Sequence, residues 1–159
     1  MNNNILNEAT KAIDYKRLQV SSSEFAEGGL IPLKYTCDGK NISPPLDIKG
    51  IPEETKSLVI IVDDPDAPFR PWVHWLAWNI PPAKHLKEGR PMETEGLNDM
   101  QKNEYCGPCP LSGTHCYFFK VYALDTLLNL PAATSKNQLE KAISEHIIGF
   151  GELTGIYKH

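Results

Sequence analysis

Long apolar runs are absent from this sequence. Its most hydrophobic stretch, around Leu58–Val62, is far shorter than the ~20 residues that a membrane-spanning helix needs. The opening residues, MNNNILNEATKAIDYKRLQV, lack the apolar centre of a secretory signal, so a soluble, cytoplasmic protein is expected. Basic runs are missing too. With 16 Lys and Arg against 20 Asp and Glu, the net charge is −4. Nucleic-acid binding needs clustered cations that release counterions, so that class of partner is excluded. Cysteine is scarce: four residues are too few for a disulfide scaffold in a chain of this size. In a reducing cytosol they would be thiols or ligands, and in an oxidising compartment Cys106 and Cys109 could pair instead. There is no GxSxG nucleophile elbow, no Walker sequence and no repeat at a period of 20 to 50 residues.

What is present suits one globular domain. At 159 residues, folding buries about 70% of the chain's surface, enough for a core without metal or crosslinks. Residues 1–16 carry only a weak helical pattern (Ile5, Leu6, Ala9, Ile13) and are set apart as an N-terminal extension to a domain over 17–159. The body reads as short strands broken by turn signals. Residues 18–22 alternate, and Asp38-Gly39 marks a tight turn. Ser57–Asp63 is β-branched and apolar on both faces, as in a central strand covered on both sides. Trp72–Asn79 is aromatic-rich and ends before Pro81-Pro82. Residues 83–112 form a long Gly/Pro-rich connection of the kind that often carries function. Tyr117–Leu124 is a further strand. One helix is predicted: Ser135 and Gln138 fit a capping box, Leu139, Ala142, Ile143, His146 and Ile147 recur at helical spacing, and Gly149 ends it. Glu152–Tyr157 alternates weakly as a last strand. The fold class is mostly β, an antiparallel sandwich with peripheral helices.

Three segments carry candidate chemistry. Asp63-Asp64-Pro65-Asp66-Ala67-Pro68 places carboxylates at the mouth of the apolar strand, where a proline between Asp64 and Asp66 restrains their geometry; a solvated turn is the plain alternative. In Trp72-Val73-His74-Trp75, strand alternation puts Trp72, His74, Leu76 and Trp78 on one face. The indoles there serve equally as core or as pocket wall. The stretch CGPCPLSGTHC, Cys106–Cys116, suggests a four-ligand metal site. Its first half is a sound C-x2-C half-site, but His115 and Cys116 are adjacent at a strand start and point to opposite faces. No metal is therefore expected. The glycines and prolines instead let backbone approach a ligand, with His115 entering the same cleft as His74. Two imidazoles oriented by carboxylates can hold a phosphate or carboxylate. The same Asp64, His74 and His115 could act as acid and base in a phosphoester hydrolase, but no nucleophile or metal completes such a set.

These motifs occur together and in order. Thr36-Cys37-Asp38-Gly39 with Ile42–Pro45, the Asp63–Pro68 segment, Trp72–Trp75, and Gly107–Pro110 with Gly113–His115 resemble the phosphatidylethanolamine-binding protein family, in its bacterial and archaeal Raf-kinase-inhibitor-like branch. The resemblance runs from about residue 17 to residue 157. It implies two antiparallel sheets with a Greek-key connection, a C-terminal helical element and a small preformed anion pocket. The pocket residues it implies are Asp64, Asp66, His74 and His115, with Trp72, Cys109, Pro110 and Tyr117 as wall. It further implies a binding or regulatory protein without cofactor, taking phosphate or phosphorylated head groups and inhibiting a kinase or serine protease. The protein partner and a homodimer are left open. One position departs from the family's usual His-Arg-Tyr, because Cys116 follows His115. The resemblance implies loss of a guanidinium that braces an aspartate of the Asp63–Pro68 turn. Either another group replaces that brace, or Asp66 sits more exposed.

Overall fold

The computed structural model describes residues 15–159. The weak helical pattern assigned to the N-terminal extension falls almost entirely outside them. The fold is mostly β, as expected, with two sheets and one α-helix among the described residues. The larger sheet has the order β1 (Lys16–Arg17), β10 (Ile147–Lys158), β9 (Thr114–Leu124), β5 (Ser57–Asp64), β6 (Trp72–Ile80) and β8 (Thr94–Glu95). β3 (Gly29–Leu30) also pairs with β10. The smaller sheet has the order β2 (Gln19–Ser21), β4 (Leu46–Lys49) and β7 (His85–Leu86). The larger sheet is mixed rather than purely antiparallel, because β1 and β3 run parallel to β10.

The predicted central strand is central: every residue of β5 is buried, and its neighbours β6 and β9 are antiparallel to it. One face of the large sheet, with Ile60, Val62, Trp75, Phe119 and Val121, packs against Val20, Leu46, Ile48 and Leu86 of the small sheet. The other face, with Val59, Ile61, Leu76, Trp78 and Tyr122, is covered by Leu139 and Ile143 of α1 (Lys136–Ile143). Both faces need apolar residues, so β5 reads as one continuous hydrophobic run.

The helix starts as predicted. Gln138 donates its backbone N–H to Ser135 Oγ, and Ser135 donates its own to Gln138 Oε1. It ends earlier than the periodicity suggests. His146 and Ile147 lie beyond it, and Ile147 opens β10 opposite Leu124. Pairing along an eleven-residue neighbour outweighs helical spacing at a short helix end. Gly149 is a strand residue, and β10 is one strand of 12 residues rather than a short terminal piece.

Candidate functional site

The site is assembled where the C-terminal end of β5 meets the N-terminal ends of β6 and β9. Asp64 is the last residue of β5 and lies opposite Trp72, the first of β6. His115 and Tyr117 enter from the start of β9. The β5–β6 register contains an irregularity at this point. Val62 pairs with Trp75 and Asp63 with Val73, which leaves His74 as an extra residue on β6. This is a β-bulge, a device that re-aims a side chain.

The bulge corrects the expected face of the Trp72–Trp78 strand. Leu76 and Trp78 pack on the helix-covered side with Val73, while Trp75 and Ala77 belong to the inter-sheet core. His74 contacts Tyr117, a member of that inter-sheet core, so it does not share a face with Leu76 and Trp78.

His74 is 5% exposed, and its Nδ1–H donates to the Cys106 carbonyl at 2.6 Å. A carbonyl can only accept, so the proton is on Nδ1 in the neutral ring and Nε2 is left as an acceptor. Burial pushes this imidazole below the usual histidine range, against the opposing pull of the Cys106 carbonyl and of Asp64. Protonation of the unfolded chain therefore erodes stability as pH falls below the ordinary histidine value. His115 donates Nδ1–H to Asp64 Oδ2 at 2.7 Å. Asp64 Oδ1 accepts the Asp66 N–H at 2.8 Å, which closes the Pro65 turn on itself. Tyr117 lies against both histidines, edge-on to His74 at 5.3 Å and stacked with His115 at 6.4 Å between centroids. Burial and the Asp64 charge raise its phenol, so it stays a donor at any physiological pH.

The remaining predicted residues divide. Pro110 is buried in the loop leading to β9. Trp72 is half-buried, with the Arg70 guanidinium 5.5 Å from its ring centroid, and its indole makes no recorded contact with either histidine. Cys109 is exposed and disulfide-bonded to Cys37, 72 residues away in sequence. This corrects the expectation that the four cysteines are thiols or ligands, and the bridged pair is not Cys106–Cys109, the pairing raised for an oxidising compartment. The bridge links the 31–41 segment to the 105–110 loop, while Cys106 and Cys116 are free and half-buried.

Cys116 stands where a guanidinium was expected, and its own backbone replaces the brace. The Cys116 N–H donates to Asp66 Oδ2 at 3.1 Å, and Asp66 is exposed. No Arg or Lys pairs with Asp66 among the described residues. An exposed carboxylate held by one N–H needs no buried cation, so a cysteine at this position leaves no stranded charge.

Several supporting residues were not foreseen. Asp99 accepts the Val73 N–H at 2.7 Å and both Arg70 terminal nitrogens at 3.0 and 3.1 Å, anchoring the entry to β6 beside the bulge. Asn98 is buried; it accepts the Met100 and Lys102 N–H groups and donates to the Glu104 carbonyl at 2.7 Å. Its place in a polar, turn-rich run was the available signal. Asn41 Oδ1 accepts the Gly107 N–H at 2.7 Å, which holds the Cys106 loop in place. Gly107 fits closely: a Cβ there would meet the Tyr35 carbonyl at 2.2 Å and Asn41 Oδ1 at 2.7 Å. Gly107→Ala should therefore push the loop, and with it the Cys106 carbonyl, away from His74. The expected loss is about 1–3 kcal/mol in a urea melt, with a shifted His74 imidazole resonance; an unchanged melt and spectrum would show that the loop has slack.

With this geometry in hand, comparison with known proteins is unambiguous. The family model for phosphatidylethanolamine-binding protein matches residues 21–158. A UPF0098 protein of Pyrococcus horikoshii is 51% identical over 148 residues, covering 86% of this chain and 75% of the relative. Another from Pyrococcus abyssi is also 51% identical, covering 86% and 83%. Among solved structures, a phosphatidylethanolamine-binding protein homologue from Chlamydia trachomatis superposes with a TM-score of 0.86 at 41% identity, covering 91% of this chain and 99% of that one. E. coli YbcL gives 0.83 at 32% identity, covering 89% and 98%. These matches cover most of the chain and share its two-sheet fold. The chain belongs to the phosphatidylethanolamine-binding protein family.

Proposed function

We propose that this protein is a non-enzymatic binding protein whose His74–His115 site takes a small oxyanion of the phosphoryl class. The observation that carries this reading is the commitment of both Nδ1 atoms to fixed protein acceptors, Cys106 O and Asp64 Oδ2. Each ring is thereby oriented, and neither Nε2 atom has a hydrogen bond among the described residues. Tyr117, in contact with both rings, adds a phenol donor. Such a set holds a ligand; it contains no activated nucleophile, which weighs against the hydrolase reading. Regulation of a kinase or protease would use the rim. Phe69 and Leu111 are fully exposed apolar side chains on the two loops that lead to Trp72 and to His115, and they offer contact area beside the ligand.

Calorimetry with inorganic phosphate near pH 6 tests the proposal. Saturable binding is expected for the wild type, with at least a tenfold loss in His74→Ala and in His115→Ala. No heat from the wild type, or wild-type affinity in the two variants, would overturn it. Turnover of a phosphoester panel that is lost in Asp64→Asn would move the assignment to the hydrolase.

A further inference from the structure

The Thr36–Gly39 segment and the Cys106–Cys109 loop take part in the fold around the site, but the proposed ligand contacts leave Cys37, Asp38 and Cys109 unused. The structure gathers these three with a fourth residue. The Cys37 Sγ, an Asp38 carboxylate oxygen and a His159 ring nitrogen lie within 4.8 Å of one another. The Cys109 Sγ is bonded directly to that of Cys37. With Cys109, which is bonded to Cys37 but stands outside that 4.8 Å group, the neighbourhood offers two sulfurs, one oxygen and one imidazole nitrogen, the donor number and type of a tetrahedral zinc centre.

In the disulfide form the two sulfurs carry no charge and cannot serve as thiolates. Two-electron reduction by a dithiol or phosphine converts the Cys37–Cys109 bond into two thiols, with the reductant oxidised to its disulfide or phosphine oxide. Binding of Zn2+ then displaces the two thiol protons to solvent. We propose that reduced Cys37 and Cys109, together with Asp38 and His159, form a redox-gated site for one zinc ion.

The surroundings favour survival of the cluster once the covalent bond opens. The two loops stay joined by the Cys37 N–H to the Pro108 carbonyl at 3.1 Å and by Gly107 to Asn41. A third tie is the Tyr105 hydroxyl, which donates to the Tyr35 carbonyl at 2.7 Å. Asp38 is oriented by the Tyr157 hydroxyl on Oδ2, which leaves Oδ1 toward His159 Nε2 at 3.3 Å. That phenol is the kind of outer partner that fixes a metal-bound carboxylate. Donor atoms around a zinc ion stand about 3.5 Å apart, so Cys37, Asp38 and His159 need contract by roughly 1 Å, and the Cys109 thiolate turns in by side-chain rotation once the S–S bond opens. Asp38 and Cys109 are exposed, and His159 is 43% exposed, so an ion has access. Two thiolates with an imidazole select zinc over hard cations such as magnesium.

This centre differs from the one the Cys106–Cys116 stretch suggests by itself. His115 is committed to Asp64, and Cys106 gives its carbonyl to His74. The distinction sets the controls. Full-length protein, oxidised or reduced and then freed of reductant, is titrated with Co2+ and back-titrated with Zn2+. The reduced form should take up one equivalent with tetrahedral d–d bands and a thiolate charge-transfer band, binding at least 100-fold tighter than the oxidised form. Cys37→Ser and Cys109→Ser should each abolish the tight site. His159→Ala, a change at an exposed position that leaves the core intact, should weaken it at least tenfold. Cys106→Ser should leave it unchanged. Equal binding by oxidised and reduced protein would overturn the proposal. So would loss of the site in Cys106→Ser with retention in Cys37→Ser, which would assign the metal to the C-x2-C half-site instead.

Discussion

Asp63→Ala should be the most destabilising single substitution among the charged residues of this domain. Asp63 and Lys120 are buried at 1% and 2% exposure, and Asp63 Oδ2 accepts from Lys120 Nζ at 3.2 Å and from Lys136 Nζ at 2.7 Å. One carboxylate oxygen thus joins β5 to β9 and anchors the first residue of α1 to the sheet. Without it, the Lys120 and Lys136 ammonium groups lose their shared hydrogen-bonded carboxylate, and the Glu140 and Glu152 charges nearby offset that loss only in part. Removing one partner of such a buried set costs about 3–5 kcal/mol, or roughly 10 °C of melting temperature for a domain of this size. The surface pair Lys34–Glu88, with side chains 40% and 36% exposed, should contribute far less, because water screens it. The double variant Asp63→Leu/Lys120→Met should recover most of the loss, because a buried pair replaced by apolar groups of similar volume is nearly neutral. Urea melts of the three variants decide this. A loss below about 1 kcal/mol in Asp63→Ala would mean the interior is far wetter than its burial implies.

Asp63 also shows how far the residue pattern could be read. The Asp63–Pro68 run placed carboxylates at the end of a doubly covered strand, and strand parity alone sends Asp63 and Asp64 to opposite faces. Asp64 meets His115 on the inter-sheet face, while Asp63 meets Lys120 and Lys136 beneath the helix. Pattern reading singled out Asp64, His74 and His115 because each lies on a strongly apolar strand with a clear end, and the fold brings the three to one end of the large sheet. It misplaced the partners of His74 for a physical reason: a bulge adds one residue to a strand and inverts every face beyond it, and nothing in Trp72–Trp78 announces it. The Cys106 carbonyl that orients His74 is backbone, and backbone leaves no side-chain signature. The Cys37–Cys109 bridge joins segments that only the tertiary fold brings together, and three cysteines within one short loop drew attention to the wrong pair.

A phosphomonoester should bind at least tenfold more tightly than the matching phosphodiester at pH 6. The reason lies in the state of the His74 ring. His74, buried and bonded through Nδ1–H to a carbonyl, offers Nε2 as an acceptor. It needs a ligand that brings its own proton. A monoester monoanion has one P–OH for His74 and ionised oxygens for the Tyr117 phenol. A diester has no O–H, so it binds only if His74 takes up a proton, which burial disfavours. The second ionisation of a monoester lies near pH 6. Above it, the dianion has lost that O–H and each bound complex must recover one proton, so monoester affinity should fall by up to tenfold per pH unit. The diester shows no such ligand-borne dependence. His74→Gln supplies an amide N–H donor in place of the acceptor and should narrow the gap between the two ligands. Calorimetric titration with methyl phosphate and dimethyl phosphate from pH 5.5 to 8 measures both effects. Equal affinities would show that His74 binds as an imidazolium, and the burial argument for its neutral state would fall with that result.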